Sequence, residues 1–155
     1  HCAAHTDWQE LADIDVDGWD AVHAVALRAP FLAIQALAPR LAGRGGDIVL
    51  CAGLSAAKMV PAHPHAAAAN AGLAGLTRSL ARALGPVHIR INLVALGILD
   101  GGTSDRIGEA FARDHRRFSA LGRTGTASEV AEAILWLALA NRYASGAVIP
   151  IAGGI

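Results

Sequence analysis

Two short apolar runs, Asp47 to Ala52 and Ile89 to Ala95, flank an amphipathic stretch from His65 to Gly85. This order constrains the fold more than any other feature of the chain. Ala69, Leu73, Leu76, Leu80 and Leu84 recur at helical spacing, with Arg78 and Arg82 off the stripe. Gly85 and Pro86 close the helix in the order that helix ends favour. Strand, helix, strand in succession is a parallel crossover unit, expected to be right-handed. Parallel strands need cover on both faces, so an α/β fold follows.

The rest of the chain extends this pattern. Asp17 to Leu41 reads as a long helix, with Asp17 as its cap, Pro30 as a kink and Gly43, Gly45 and Gly46 as its end. Residues 98–103 form a glycine-rich loop, and Ser104 to Phe118 a charged helix. Thr126-Ala-Ser-Glu129 is a capping box opening a helix that runs through Ala140. Ala147 to Ile151 is a last strand, and Pro150 places it at a sheet edge or strand end. There is no internal repeat and no linker, so residues 1–155 read as one domain.

The 13 basic residues balance the 13 acidic ones without clustering, which argues against nucleic acid or an acidic membrane surface. Met59 to Thr77 lacks formal charge, but its prolines, histidines and alanines make it a poor bilayer span. Cys2 and Cys51 suggest no disulfide framework, and with no secretory leader in view the expected compartment is the cytoplasm. Hydrophobic residues make up 54% of the chain and charged ones 17%. That balance predicts a large surface covered by another chain, or a missing part of the domain.

Several stretches together resemble the short-chain dehydrogenase/reductase family, in particular its 3-oxoacyl-carrier-protein reductase-like members. They are "GDIV" at 46–49, "NAGLAGLTRSLARALGPVHIRINLVALG" at 70–97, "LGRTGTASEVAEAILWLA" at 121–138 and "SGAVIPIAGG" at 145–154. The resemblance implies the C-terminal part of a doubly wound, Rossmann-like parallel-sheet fold. "HCAA" falls where the family has Asn-Asn-Ala-Gly after its fourth strand. The first strands and the glycine-rich turn that cradles a dinucleotide pyrophosphate are expected to be absent. The chain alone is therefore expected to hold no cofactor, with NAD(P) left to a partner subunit or a longer chain.

The resemblance also implies a catalytic set: a tyrosine as proton donor, a lysine one turn on that lowers its pKa, a serine thirteen residues earlier and an asparagine on the preceding helix. Those positions hold Ala66, Asn70, Gly53 and Ala26. The single tyrosine, Tyr143, and the single lysine, Lys58, are 85 residues apart and lie in other elements. In the loop that meets the nicotinamide amide, Leu96-Gly97 replaces Pro-Gly and Gly101 the threonine. Gly97, Ile98 and nearby Thr103 remain as a remnant contact.

Other groupings point to weaker chemistry. His1, Cys2 and His5, joined by His63 and His65, offer metal-ligand types without the four spaced ligands of a structural site, so no metal is expected. Gly53-Leu-Ser55 partly resembles a nucleophile elbow, for which His63 or His65 and Asp100 would complete a triad. Arg113, His115, Arg116 and Arg117 suit a solvated helix face or an anionic carrier.

The expected function is that of a degenerate, non-catalytic scaffold subunit of the family. It would assemble as a homo- or hetero-oligomer through helices 17–41 and 65–84, whose counterparts pair across subunits in the family. Small residues, Ala66 to Ala69, Gly72 and Gly75, permit close helix approach. The alternatives are a lyase, cyclase or hydrolase in the same cleft, or a module binding an acyl or polyketide-like ligand.

Overall fold

The computed structural model describes residues 1–5 and 7–155. The side chain of Thr103, one of the expected cofactor contacts, lies outside the described residues. Three parallel strands, β1 (Gly46–Gly53), β2 (Ile89–Leu96) and β3 (Val148–Ile151), lie in the order β1-β2-β3. Gly46 pairs with Ile89 and Gly53 with Leu96, while Leu93 pairs with Val148. Pro150 opposes Ala95 on β3, an edge strand among the described residues, as a residue without an N–H requires.

The β2 strand is the centre of the core. Ile89, Ile91, Leu93, Val94 and Ala95 are fully buried. Burial is unbroken from Ile91 to Ala95, Asn92 included, which marks a strand covered on both faces. α3 (Pro64–Leu84) packs against β2 with Ala69, Leu73, Ala74 and Thr77 buried. Thr77 returns its hydroxyl to the Leu73 carbonyl at 2.8 Å, which makes a polar residue tolerable there. Asn92 is buried within β2 and donates to Ala144 O while accepting from Ala147 N–H, tying the loop before β3 to the sheet.

Residues 16–41 form one continuous helical rod, but not a uniform one. α1 (Val16–His23) passes through a π-helical turn, Ala24–Arg28, into α2 (Ala29–Leu41). The widened turn lies directly before Pro30, whose ring and missing N–H disturb the regular ladder, so the expected kink takes this form. The cap is Asp15, not Asp17: its carboxylate accepts Gly18 N–H at 2.7 Å. The two aspartates are indistinguishable as local signals, and only the start of the helical dihedrals at Val16 separates them. By length and hydropathy residues 16–41 match a membrane span, unlike 59–77, and of this rod only Val22, Pro30 and Ile34 are buried.

Two other boundaries differ from expectation. The charged helix is divided: a 3-10 turn, Gly102–Arg106, precedes α4 (Glu109–Phe118), because Ile107 and Gly108 are extended. α5 (Ala127–Leu135) ends in a second π-helical turn, Trp136–Ala140. Thr126 and Glu129 form both bonds of the capping box. Leu137 is buried, whereas Trp136 is half exposed. The N-terminal residues add to the sheet: the His1 amino group donates to Val49 O at 2.8 Å and Cys51 N–H to His1 O at 2.9 Å.

Candidate functional site

The site implied by the sequence lies where β1 ends and α3 begins. Gly53 is the last residue of β1 and is exposed; Ala66 and Asn70 lie one turn apart on α3 and are half-buried. Ala26 is half-buried in the π-helical turn, which packs on α3. Asn70 defines the local geometry. Its amide Nδ2 donates to Ser55 Oγ at 3.0 Å, and its Oδ1 accepts Gly53 N–H at 3.4 Å. A β-carbon at Gly53 would stand 2.8 Å from Asn70 Nδ2. The amide therefore fills the space that a side chain at 53 would use.

The alternative triad is not assembled by hydrogen bonding. Ser55 is engaged by Asn70, whereas Asp100 accepts from the Thr124 hydroxyl and its N–H meets Gly125 O at 2.8 Å. His63 and His65 instead meet the segment before α1. His63 Nδ1 is 2.8 Å from Gln9 O, a group that only accepts, so Nδ1 carries the proton and Nε2 is left basic in the neutral ring. Trp8 meets the His63 ring edge-on at 5.2 Å. His65 is fully buried with Nε2 3.7 Å from Asp7 Oδ2, too long for a hydrogen bond, and both ring nitrogens lack partners. The Gln9 side-chain oxygen is buried without a partner as well. Gly18 permits this arrangement, since its β-carbon would lie 3.2 Å from Asp7 Oδ2 and 3.4 Å from Gln9 Oε1. Asp7 and Gln9 carry no motif, and sequence reasoning did not find them. Among the described residues no three His, Cys, Asp or Glu side chains converge on a metal position.

The remnant cofactor loop leaves β2 at Gly97. Gly97 N–H donates to Ile151 O at 3.0 Å, and Ile98 O accepts Gly125 N–H at 3.0 Å. His115 of α4 covers Gly97: a β-carbon there would lie 2.9 Å from its Cε1. Burial pushes the His115 pKa below its ordinary value. The sequence shows His115 only as part of a basic cluster, from which packing separates it. Arg116 pairs with Glu109, and Arg117 lies 5.7 Å from the Phe118 ring centre. The cavity beside this loop, lined by Ile98, Leu99, His115 and Thr124 among others, measures about 90 Å³. Small-molecule sites usually occupy about 300–1,000 Å³. Gly97 N–H and Ile98 O are thus engaged within the fold, beside a cavity smaller than that range. Tyr143 is 98% exposed in the loop before β3, and its N–H bonds Asn141 rather than any group of the cleft.

The family model described as enoyl-(acyl carrier protein) reductase matches residues 1–155. The chain belongs to the short-chain dehydrogenase/reductase family. Within this family it is 33% identical over 147 residues to a 3-oxoacyl-[acyl-carrier-protein] reductase of Thermotoga maritima, covering 94% of this chain and 60% of that one. The crystal structure of a 3-oxoacyl-[acyl-carrier protein] reductase from Brucella melitensis superposes with a TM-score of 0.88 at 28% identity, covering 95% of this chain and 56% of that one. A putative 2-deoxy-D-gluconate 3-dehydrogenase from Agrobacterium tumefaciens, solved with bound NADP, gives 0.90 at 28% identity over 97% and 63%. This short-chain dehydrogenase/reductase thus spans 58–60% of the length of such curated relatives. The α/β class and the partial doubly wound fold expected from the sequence are those of the family.

Proposed function

We propose that this chain is a non-catalytic member of its family, a cytoplasmic scaffold subunit that assembles with an active NAD(P)-dependent reductase or with a copy of itself. The single observation that carries this reading is Asn70, uncharged and locked onto Ser55 and Gly53 where the family's lysine would act, one turn from the methyl group of Ala66. A carbonyl reduction needs an ionisable donor at the carbonyl oxygen, and losing one typically removes about 10²–10⁴ in rate. Here the donor, its cation, the serine and the asparagine are all replaced.

The assembly part of the proposal draws on the rod of residues 16–41 and α3. Between them runs a groove of about 550 Å³, lined by Leu27, Phe31, Gly72 and Leu76 among others. Leu32 and Leu37 on the same rod are half exposed. Apolar area of this kind is what obligate interfaces bury.

The test is direct. The purified chain, supplied with NADH or NADPH and a 3-oxoacyl thioester, is expected to oxidise no cofactor above the protein-free rate. Sustained turnover without a partner overturns the scaffold reading.

A second reading, a lyase, cyclase or hydrolase in the same cleft, is favoured by the basic Nε2 of His63, held in orientation by the Gln9 carbonyl. Under that reading His63→Ala abolishes turnover of an acyl or polyketide-like ligand and leaves assembly intact. Under the scaffold reading the substitution changes neither.

A further inference from the structure

The N-terminal residues do more than extend the sheet. Val49 O accepts from the His1 amino group, and His1 O accepts from Cys51 N–H. This alternation is the parallel ladder with His1 opposite Leu50, and it places Cys2 directly opposite Cys51. The two side chains leave the same face of adjacent strands, and their sulfurs are 3.3 Å apart. Partners in register on neighbouring strands have α-carbon separations within the range a disulfide accepts.

We propose that Cys2 and Cys51 form a reversible intramolecular disulfide, making the chain a peroxide- or disulfide-responsive thiol pair. Both are free thiols in this structure. Cys2 is exposed and Cys51 half-buried, which sets the order of events. Cys2 thiolate attacks the peroxide oxygen, giving sulfenic acid and releasing water after protonation. Cys51 sulfur then attacks the Cys2 sulfur, and the hydroxyl leaves as a second water. Overall two thiols and one hydrogen peroxide give one disulfide and two waters. Burial, with Cys2 beside it, pushes the Cys51 thiol up to about 12, so Cys51 reacts as the second partner and not as the first. A cytosolic disulfide of this kind is expected to be transient and sensing.

The bond would act on the cleft. Cys51 stands two residues before Gly53, and Cys2 five before Asp7, so the link would fasten the segment carrying Asp7 and Gln9 to the strand that ends at Gly53. It would also close a loop spanning 49 positions, long enough to restrict the unfolded chain strongly.

The experiment oxidises the reduced chain with stoichiometric hydrogen peroxide and, in parallel, with oxidised glutathione, then reads intact mass, thiol alkylation and a non-reducing peptide map. The expected product is a monomeric chain lighter by two hydrogens, with the Cys2 and Cys51 peptides linked and dithiothreitol restoring both thiols. Its Tm should rise by about 5 °C or more over the reduced form. In Cys51→Ser one equivalent of peroxide should stop at the Cys2 sulfenic acid, and a second equivalent should carry it on to sulfinic acid. Cys2 over-oxidised or glutathionylated in the unsubstituted chain while Cys51 remains alkylatable would overturn the proposal, as would bonds formed only between chains or no reaction at all.

Discussion

At Gly53 the backbone lies at φ −66°, a conformation open to any residue, so glycine is not required there by its dihedrals. What excludes a side chain is Asn70. Gly53→Ala should displace the amide from Ser55 and lose that hydrogen bond, a cost of about 1 kcal/mol. In an Asn70→Ala background the same change should cost almost nothing. A double-mutant cycle by urea unfolding measures the difference. Asn92 is a sharper case, because removing it orphans a backbone N–H, that of Ala147. Asn92→Leu should leave Ala147 N–H without its partner, while Ala144 O keeps its bond from Asn141 Nδ2, and cost about 1–3 kcal/mol, read from the unfolding midpoint. At Gly97 the ring of His115 supplies a pH response. Its pKa is lower when folded than when unfolded, so below the ordinary value near 6.5 the unfolded chain binds more protons. Stability should fall as pH drops from there through the folded pKa, and His115→Asn should flatten that slope in thermal melts.

At the scale of elements, α5 depends on its first turn. Thr126 accepts Glu129 N–H at 3.3 Å, and Glu129 returns a bond to Thr126 N–H at 2.8 Å. Thr126→Ala should cost about 1 kcal/mol by denaturant unfolding. The Arg123 guanidinium beside Glu129, with Thr126 N–H next in effect, brings the carboxyl down from 4.5 to about 2. A folded pKa below the unfolded one means stability that is complete above pH 4.5 and is lost as pH falls through 2. Glu129→Gln should remove that part of the acid response, seen as a shallower loss of helicity across the window. The capping box was legible in four consecutive letters because both partners are local. The division of residues 104–118 at Gly108 was not, since the charged pattern continues across the break and only the extended dihedrals of Ile107 and Gly108 reveal it.

At the scale of the molecule, the fold leaves one side of the 16–41 rod with no partner among the described residues. Phe31 is 38% exposed and Leu32 51%, beside a groove that Leu76 of α3 helps to line. If this face joins subunits, Leu76→Arg should shift the chain to a smaller species in light scattering without loss of helicity, since Leu76 is only partly buried within the chain.

Local chemistry was enough to determine the strands, most of the helices and the parallel crossover, while the family came from the resemblance of four motifs. Periodicity, caps and glycine-proline stops act over a few residues and survive in the letters alone. The reading of Ala66, Asn70, Gly53 and Ala26 as the family's tyrosine, lysine, serine and asparagine positions comes from the resemblance and belongs to the proposal. Tertiary structure alone decided which groups meet. Asn70 reaches Ser55 across fifteen positions, Asp7 approaches His65 across 58, Cys2 faces Cys51 across 49, and His115 covers Gly97. Each of these contacts depends on how separate elements are set side by side, and no short-range pattern encodes that arrangement.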